Sequence, residues 1–594
     1  MKKVISFFTT IFILISVCSL NAYASEYRDI VLTQEAMSEN AFQTIENALA
    51  EAKDNASDNL VYRIYVPAGT YTLTKGLHIY SNTQLLLSPD TVLNRGFEEK
   101  GNMIKAGKAK NKAGTEDNNE IYYGYDGYRN ILIDGGVWDS GYIGGSCAMR
   151  FAHCKNLTIS NLTIKNIKNA HHIEVAATDG FYLTGCSFSG MNRTNNSSAE
   201  AVQIDILHEY EHFPDYYYYD DTPCKNVYVS GCTFTDLYSG IGTRSGVIGS
   251  YFDNINITSN TFKNISEKAI SCFNYINSNI SGNLIDNATM GIVFEYLPPN
   301  NISERFFKPN SGKVGNIIQN SSSSISSNTI NVNRLSNTVD CCGIYVYGGE
   351  IDSREAGSYN LTNGEYFIKN LSVTGNVVSC FNSSARGIFL TGVNDSDIMS
   401  NTILGYSSAN DGINAINLAA SSRNVIKSNV INGTLNNGIS LYGNDDANSR
   451  GNNIDSNSIS SVKSYGIRIA GGSTASVKSS NSYNACGIST VCVASVNYSQ
   501  NLQGVILKSL SRSSANRTLL KWYAVDGADG YKIYRSFSPN GAYRQIATVK
   551  GNKLMYVDRA SRPGITYYYK ISAYKSASSC AVISPSGAEY GITL

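Results

Sequence analysis

An all-β solenoid is the fold class this sequence predicts, and three observations predict it. Two short themes alternate along most of the chain. Both carry β-branched residues with apolar period 2, and neither shows helical spacing. The first theme reads "NLTISNLTI" from residue 156, "FYLTGCSF" from 181, "NVYVSGCTF" from 226, "NINITSNTF" from 254, "NLSVTGNVV" from 370 and "RNVIKSNVI" from 423. The second reads "GIVFEY" from 291, "GIYVYG" from 343, "GIFLTG" from 387, "GISLYG" from 438 and "GIRIAG" from 466. The first recurs roughly every 23 to 29 residues where no insertion intervenes. A unit of that length cannot bury its apolar face alone and must stack on its neighbours.

Turn chemistry supports stacking. Asn161, Asn260, Asn283, Asn328, Asn376, Asn401, Asn429 and Asn457 recur in the turn inside the first theme, with Cys186 and Cys232 replacing asparagine twice. Stacked amides pass hydrogen bonds from coil to coil and satisfy polar groups in a turn that faces inward.

Each end of the chain has its own signature. "MKKVISFFTTIFILISVCSLNAYAS" combines two lysines, an apolar run and Ala22-Tyr23-Ala24, the pattern of a cleaved secretory signal over residues 1–24. No later apolar run approaches the ~18 residues that span a bilayer, so a secreted, extracellular protein without membrane insertion is expected. The formal charge of +1 over 594 residues gives no footprint for nucleic acid. Twelve cysteines remain after cleavage in spacings that suit neither a disulfide framework nor a zinc site, and packing is expected for Cys186 and Cys232. The connectivity of Cys341, Cys342, Cys486 and Cys492 stays open.

Ahead of the coils, "NAFQTIENALAEAK" (40–53) has helical spacing and precedes "YRIYVPAGTYTL". A helix there covers the open solenoid end, which otherwise offers a strand edge to another chain. With the repeat length and turn asparagines, this segment resembles the N-terminal cap of right-handed parallel β-helix proteins of the pectin-lyase-like superfamily. The resemblance covers about residues 28–500 and implies a single-stranded solenoid over 25–504. From 505 to 594 short alternating strands surround Trp522, Tyr531, Ile533, Tyr567 and Tyr569, which resembles a fibronectin type III β-sandwich.

Register then nominates a site. In "HHIEVAATDGFYL" the alternation points Ile173 and Val175 inward and His172 and Glu174 outward; in "AVQIDI" it points Gln203 and Asp205 outward. Matching Ile173 to Ile204 stacks His172 on Gln203 and Glu174 on Asp205. Adding "CAMRF", "SGIG" and "KAIS" gives an outward column Arg150, Glu174, Asp205, Gly242, Ser271. Like charges on adjacent strands repel, so the pair needs Arg150 and Arg244, a cation, or one protonated carboxyl as compensation. One rung is also close to the ~5–5.5 Å of a retaining glycosidase pair. A solvated surface pair bridged to Arg150 is the bland alternative.

The stretch from Glu200 to Cys224 holds seven carboxylates, two histidines and five tyrosines. About fifteen of its residues, "HEYEHFPDYYYYDDT", are inserted just after the pair, and long insertions in a compact fold build functional walls. Tyr217 and Tyr218 there offer flat faces to sugars. Resemblance to the polygalacturonase-type branch is carried by acidic residues in "HHIE" and "EAVQID"; its histidine is missing from "SGIG", and its Arg-x-Lys is reduced to Lys268.

The expected function is therefore a monomeric glycoside hydrolase acting on an oligo- or polysaccharide. Glu174 and Asp205 are its acid/base and nucleophile, with Glu200, Asp179 and Glu209 in reserve. His171, His172, Gln203, Arg150, Arg244, Tyr217 and Tyr218 bind substrate. No cofactor or metal is required. Two alternatives remain: a calcium-dependent polysaccharide lyase with Arg244 as base, and a non-catalytic β-helix adhesin that binds glycan.

Overall fold

A computed structural model describes residues 26–593 apart from 109–121, 194–198, 215, 217, 297–305, 308, 314, 350–365, 407–412, 443–448, 470–472, 479, 487–504, 506, 515–516, 526–527, 540, 578–579 and 584–589. The expected signal segment and the boundary near residue 504 fall outside the described residues. Two compact units divide the chain, one up to Cys232 and one from Thr233. The fold is a right-handed parallel β-helix with a C-terminal β-sandwich.

In the first unit, strand β1 (Glu26–Val31) pairs in parallel with residues 60–66. Helix α1 (Gln34–Asn55) follows, capped by the Thr33 hydroxyl accepting from Ala36 N at 3.3 Å. The helix breaks at Asn40, whose side chain accepts from Gln43 N at 3.0 Å and starts a second cap. Helical spacing begins at that same asparagine. Ala41, Ile45, Ala48, Leu49 and Ala52 form the buried stripe. Five strands then matter for the site: β2 (Leu77–Ile79), β3 (Ile104–Ala106), β4 (Met149–Ser160), β5 (Ile173–Thr184) and β6 (Glu200–Leu207). They stack in parallel, with Ile104, Met149, Ile173 and Val202 in one inward row. Burying such rows on every coil, at about 25 cal/mol per Å² of apolar surface, drives the stacking.

The second unit repeats this plan. Ile270, Ile292, Ile344, Ile388, Ile416, Ile439 and Ile467 form a continuous inward ladder. Beside it runs the asparagine ladder, where Asn260, Asn283, Asn328, Asn376, Asn401, Asn429 and Asn457 each donate Nδ2 to the next asparagine's Oδ1 at 2.9–3.0 Å, ending on Asn481. The turn preceding each amide needs a left-handed residue, supplied by Ser259, Gly282, Ser327, Gly375, Ser400, Ser428 and Ser456.

Asn161 does not belong to such a row. It occupies the left-handed position itself (φ 52°) and donates to Asp134 Oδ1 at 2.8 Å, while Leu162 fills the inward slot. Asparagine suits both places, an αL turn and an amide ladder, so its identity alone does not choose. Cys186 and Cys232 do fill inward slots; both are buried free thiols. Gly242 and Ser271 are rung partners, as alternation expects.

At the C-terminus, two antiparallel sheets enclose Leu520, Trp522, Tyr531, Ile533, Tyr567, Tyr569 and Ile571. The five residues expected to form this core are all buried.

Candidate functional site

Backbone register places the outward residues of the first unit in two columns. His78, Lys105, Arg150, Glu174 and Gln203 occupy successive rungs, and Ala152, Ala176 and Asp205 form the column two residues along. Arg150 thus neighbours Glu174 as alternation expects. Glu174 stacks on Gln203, however, and not on Asp205, while Ile173 pairs with Val202. A two-residue slip preserves which side chains face in, so the apolar pattern is equally satisfied by either register. The connecting turn decides it: His172 N donates to Ala201 O at 2.9 Å. Glu174 and Asp205 are therefore diagonal neighbours, with Cα atoms about 8 Å apart.

Both carboxylates are withdrawn from solvent, at 2% and 1% exposure. Glu174 Oε2 accepts from Arg150 Nε at 2.6 Å and from the Cys147 thiol at 3.2 Å. Burial, followed by the Glu174 charge, pushes the Cys147 thiol up to about 12. Asp205 Oδ1 accepts from Ile206 N at 2.9 Å, and Oδ2 accepts from Gln203 Nε2. Gln203 Oε1 has no hydrogen-bond partner among the described residues. Glu200 Oε2 is likewise buried without a hydrogen-bond partner, 3.9 Å from His171 Nδ1, which itself lies 2.7 Å from the Glu200 carbonyl.

The insertion is not a wall beside this pair. Leu207 pairs with Thr222 and Ile206 with Pro223, closing the loop at its base. Phe213 and Tyr216 then fold down and are buried. The Tyr216 hydroxyl donates to Arg150 O at 3.0 Å, and the Arg150 guanidinium lies 5.6 Å from the Phe213 ring centroid. Alternation reads strands and says nothing about loops, so this covering role had no signal beyond the aromatic content.

Within the first unit, His172, Asp179 and Glu209 separate from the pair. His172 is fully buried inside the coil, its ring edge-on to Phe188 at 5.8 Å and its Nε2 3.0 Å from Ser189 O. Alternation fails there because His172 precedes the strand and belongs to the turn. Burial lowers it to about 4, with the Ser189 carbonyl opposing. Asp179 accepts from Asn226 Nδ2 at 2.6 Å and lies 3.4 Å from Lys225 Nζ, in the turn row three residues beyond Ala176. Glu209 pairs with His212 within the insertion. Arg244 belongs to the second unit, and Tyr217 lies outside the described residues.

The insertion presents Tyr218 outward, against Tyr123 of the segment ahead of the coil. Tyr218 is 37% exposed and Tyr123 is 54% exposed, with ring centroids 3.9 Å apart. Buried His153, at φ 53°, holds the two backbones together: its Nδ1 is 2.8 Å from Gly124 O and its Nε2 3.2 Å from Tyr218 O. Asp220 adds a contact by accepting from Gly124 N at 2.7 Å.

No family model matches the chain. A curated relative, the plasmin and fibronectin-binding protein A of Streptococcus pneumoniae, is 24% identical over 284 residues; the match covers 42% of this chain and 38% of that protein. Among solved structures, the Streptococcus pneumoniae surface protein and adhesin PfbA aligns over 75% of this chain and 94% of its own, at 16% identity and TM-score 0.42. A family 28 exopolygalacturonase from Yersinia enterocolitica aligns over 77% and 78%, at 12% identity and TM-score 0.32. No helix among the described residues is long and apolar enough to cross a membrane.

Proposed function

We propose that the chain is an exported glycan-binding β-helix protein that contacts sugar through exposed tyrosines, Tyr218 of its insertion and Tyr123 beside it. One observation carries this reading: the exposures are the reverse of an open hydrolase site. Glu174 and Asp205 are buried, with Phe213 and Tyr216 packed on the neighbouring Arg150, while Tyr123 and Tyr218 remain exposed. Flat aromatic faces held by backbone contacts bind sugar rings at low entropic cost. Glu174 serves in this reading as the buried counter-ion of Arg150, and the C-terminal sandwich is a fibronectin type III-like spacer.

Titration of the mature chain with a panel of plant and host oligosaccharides tests the proposal. Binding should weaken about five- to tenfold in Tyr218→Ala and in Tyr123→Ala. The name of the curated relative makes plasmin and fibronectin the protein competitors to include. Binding to either, unaffected by both tyrosine variants and without any glycan bound, overturns the proposal.

Hydrolysis is the second reading, favoured by the buried Glu200 Oε2 and Gln203 Oε1, neither of which has a hydrogen-bond partner among the described residues. A calcium-dependent lyase is less suited to the geometry, because Glu174 is turned to Arg150 and Asp205 to Gln203 rather than towards one shared point.

A further inference from the structure

Cys186 and Cys232 stand one coil apart at equivalent places of the first unit. Thr184 pairs with Ser230, and each cysteine follows two residues later, after Gly185 and Gly231, both at φ 63°. Both sulfurs hang over the preceding coil in the same way. Cys186 Sγ lies 3.8 Å from Ile159 O and Cys232 Sγ 3.6 Å from Leu183 O, and Ile159 and Leu183 are rung partners. The two Cα atoms are therefore one rung apart, ~4.8 Å, inside the ~4.4–6.8 Å that a disulfide spans. The thiols already meet, the Cys186 S–H donating to the Cys232 sulfur. That bond, with the backbone N–H groups of Cys186 and Gly185, holds Cys232 below the usual thiol range against its burial. Burial, followed by the same bond, pushes Cys186 well up. Cys154, by contrast, faces Thr178 on the next rung.

A single buried thiol in an inward slot is packing, but two in contact form a dithiol. Both side chains are 1% exposed, yet Gly185, Ser187 and Gly231 beside them are exposed, so one turn of backbone separates the sulfurs from solvent. We propose that Cys186 and Cys232 are a redox-active pair, which a small-molecule disulfide converts to a bond stapling the insertion-bearing coil to the coil before it. The Cys232 thiolate attacks one sulfur of the reagent, forming a mixed disulfide and releasing one small thiol. The Cys186 thiolate then attacks the Cys232 sulfur, and the second small thiol leaves. Two protein thiols are oxidised, one reagent disulfide is reduced, and both protein protons end on the departing thiols. The loop closed from 186 to 232 contains β6, Gln203, Asp205 and the whole insertion. Closing it removes conformational freedom from the unfolded chain. The staple does not depend on glycan binding at Tyr218.

Incubation of the folded mature chain with oxidised glutathione, followed by alkylation and peptide mapping, tests it. A linked Cys186–Cys232 peptide should appear, lighter by two hydrogens than the reduced pair, and dithiothreitol should remove it. The oxidised chain should melt about 5–10 °C above the reduced one. In Cys186→Ser, the serine hydroxyl still donates to Cys232, which should stay trapped as a mixed disulfide with glutathione. Cys232→Ser should take up far less glutathione, because Cys186 forms little thiolate. Thiols that serve only as packing show no such asymmetry. Absence of the linked peptide, linkage of either cysteine to a different one, or equal melting of the oxidised and reduced chains overturns the proposal.

Discussion

Arg150 and Glu174 sit on neighbouring rungs of the first unit with Nε and Oε2 2.6 Å apart, both buried, and Phe213 and Tyr216 pack on Arg150. Taking two charges out of water is costly, and the attraction returns that cost only while both partners are present. Glu174→Gln alone should therefore destabilise the first unit by about 3–5 kcal/mol, leaving the Arg150 charge buried and uncompensated. A paired Arg150→Met/Glu174→Met variant should recover most of that loss. Chemical denaturation of the three proteins measures it; additive losses in the double variant would contradict the account.

Acid should weaken the same unit through His172. Its folded value near 4 lies below the ~6.5 of an unfolded histidine, so the unfolded chain binds the extra proton first. The contribution is fully present above pH ~6.5 and is lost as the pH falls from there to about 4, by about 3 kcal/mol at most. His172→Leu should flatten the melting temperature between pH 7 and pH 4. An unchanged slope would show that another group carries the acid sensitivity.

Within the second unit, Asn429 joins three coils. Its Oδ1 accepts from Asn401 N and Nδ2, and its Nδ2 donates to Ile398 O and Asn457 Oδ1, all at 2.9–3.0 Å. Asn429→Ala leaves buried donors and acceptors orphaned on both sides and should cost about 2–3 kcal/mol. Amide hydrogen exchange should show the loss concentrated on the coils of residues 398–457. Exchange rising equally throughout the unit would contradict a ladder with local effect.

Buried thiols should be inert in the folded chain. Burial pushes Cys147 and Cys224 up to about 12, and Cys154, Cys272 and Cys380 higher still, so little thiolate forms near neutrality. A thiol reagent should label these five only on the timescale of unfolding, as peptide mapping after timed labelling reports. Fast labelling of Cys147 would mean that the coil opens around Glu174 in the folded chain.

Much of this fold was legible because the solenoid repeats its reasons. Period 2 gives Ile173 and Val175 as inward-facing, and repeated asparagines give the ladder from Asn260 to Asn457. Pattern ran out wherever two arrangements satisfy it equally. The Glu174–Gln203 register differs from the expected Glu174–Asp205 by two residues, which no alternation detects. Asn161 fits a left-handed turn as well as a ladder. His172 lies one residue ahead of its strand, and the position of Phe213 over Arg150 depends on a long-range loop contact. Cys147 carried no signal, since a cysteine in a Gly/Ser turn three residues before Arg150 gains its role only when Glu174 arrives from the next coil.

The most direct measurement takes the best-bound glycan of the panel and follows binding and reducing-end release on the same sample, for the natural chain, Tyr218→Ala and Asp205→Asn. A binding protein should hold the glycan intact, lose affinity in Tyr218→Ala and keep it in Asp205→Asn. Steady release of reducing ends by the natural chain, abolished in a folded Asp205→Asn, would contradict the account and make the buried carboxylates an active site.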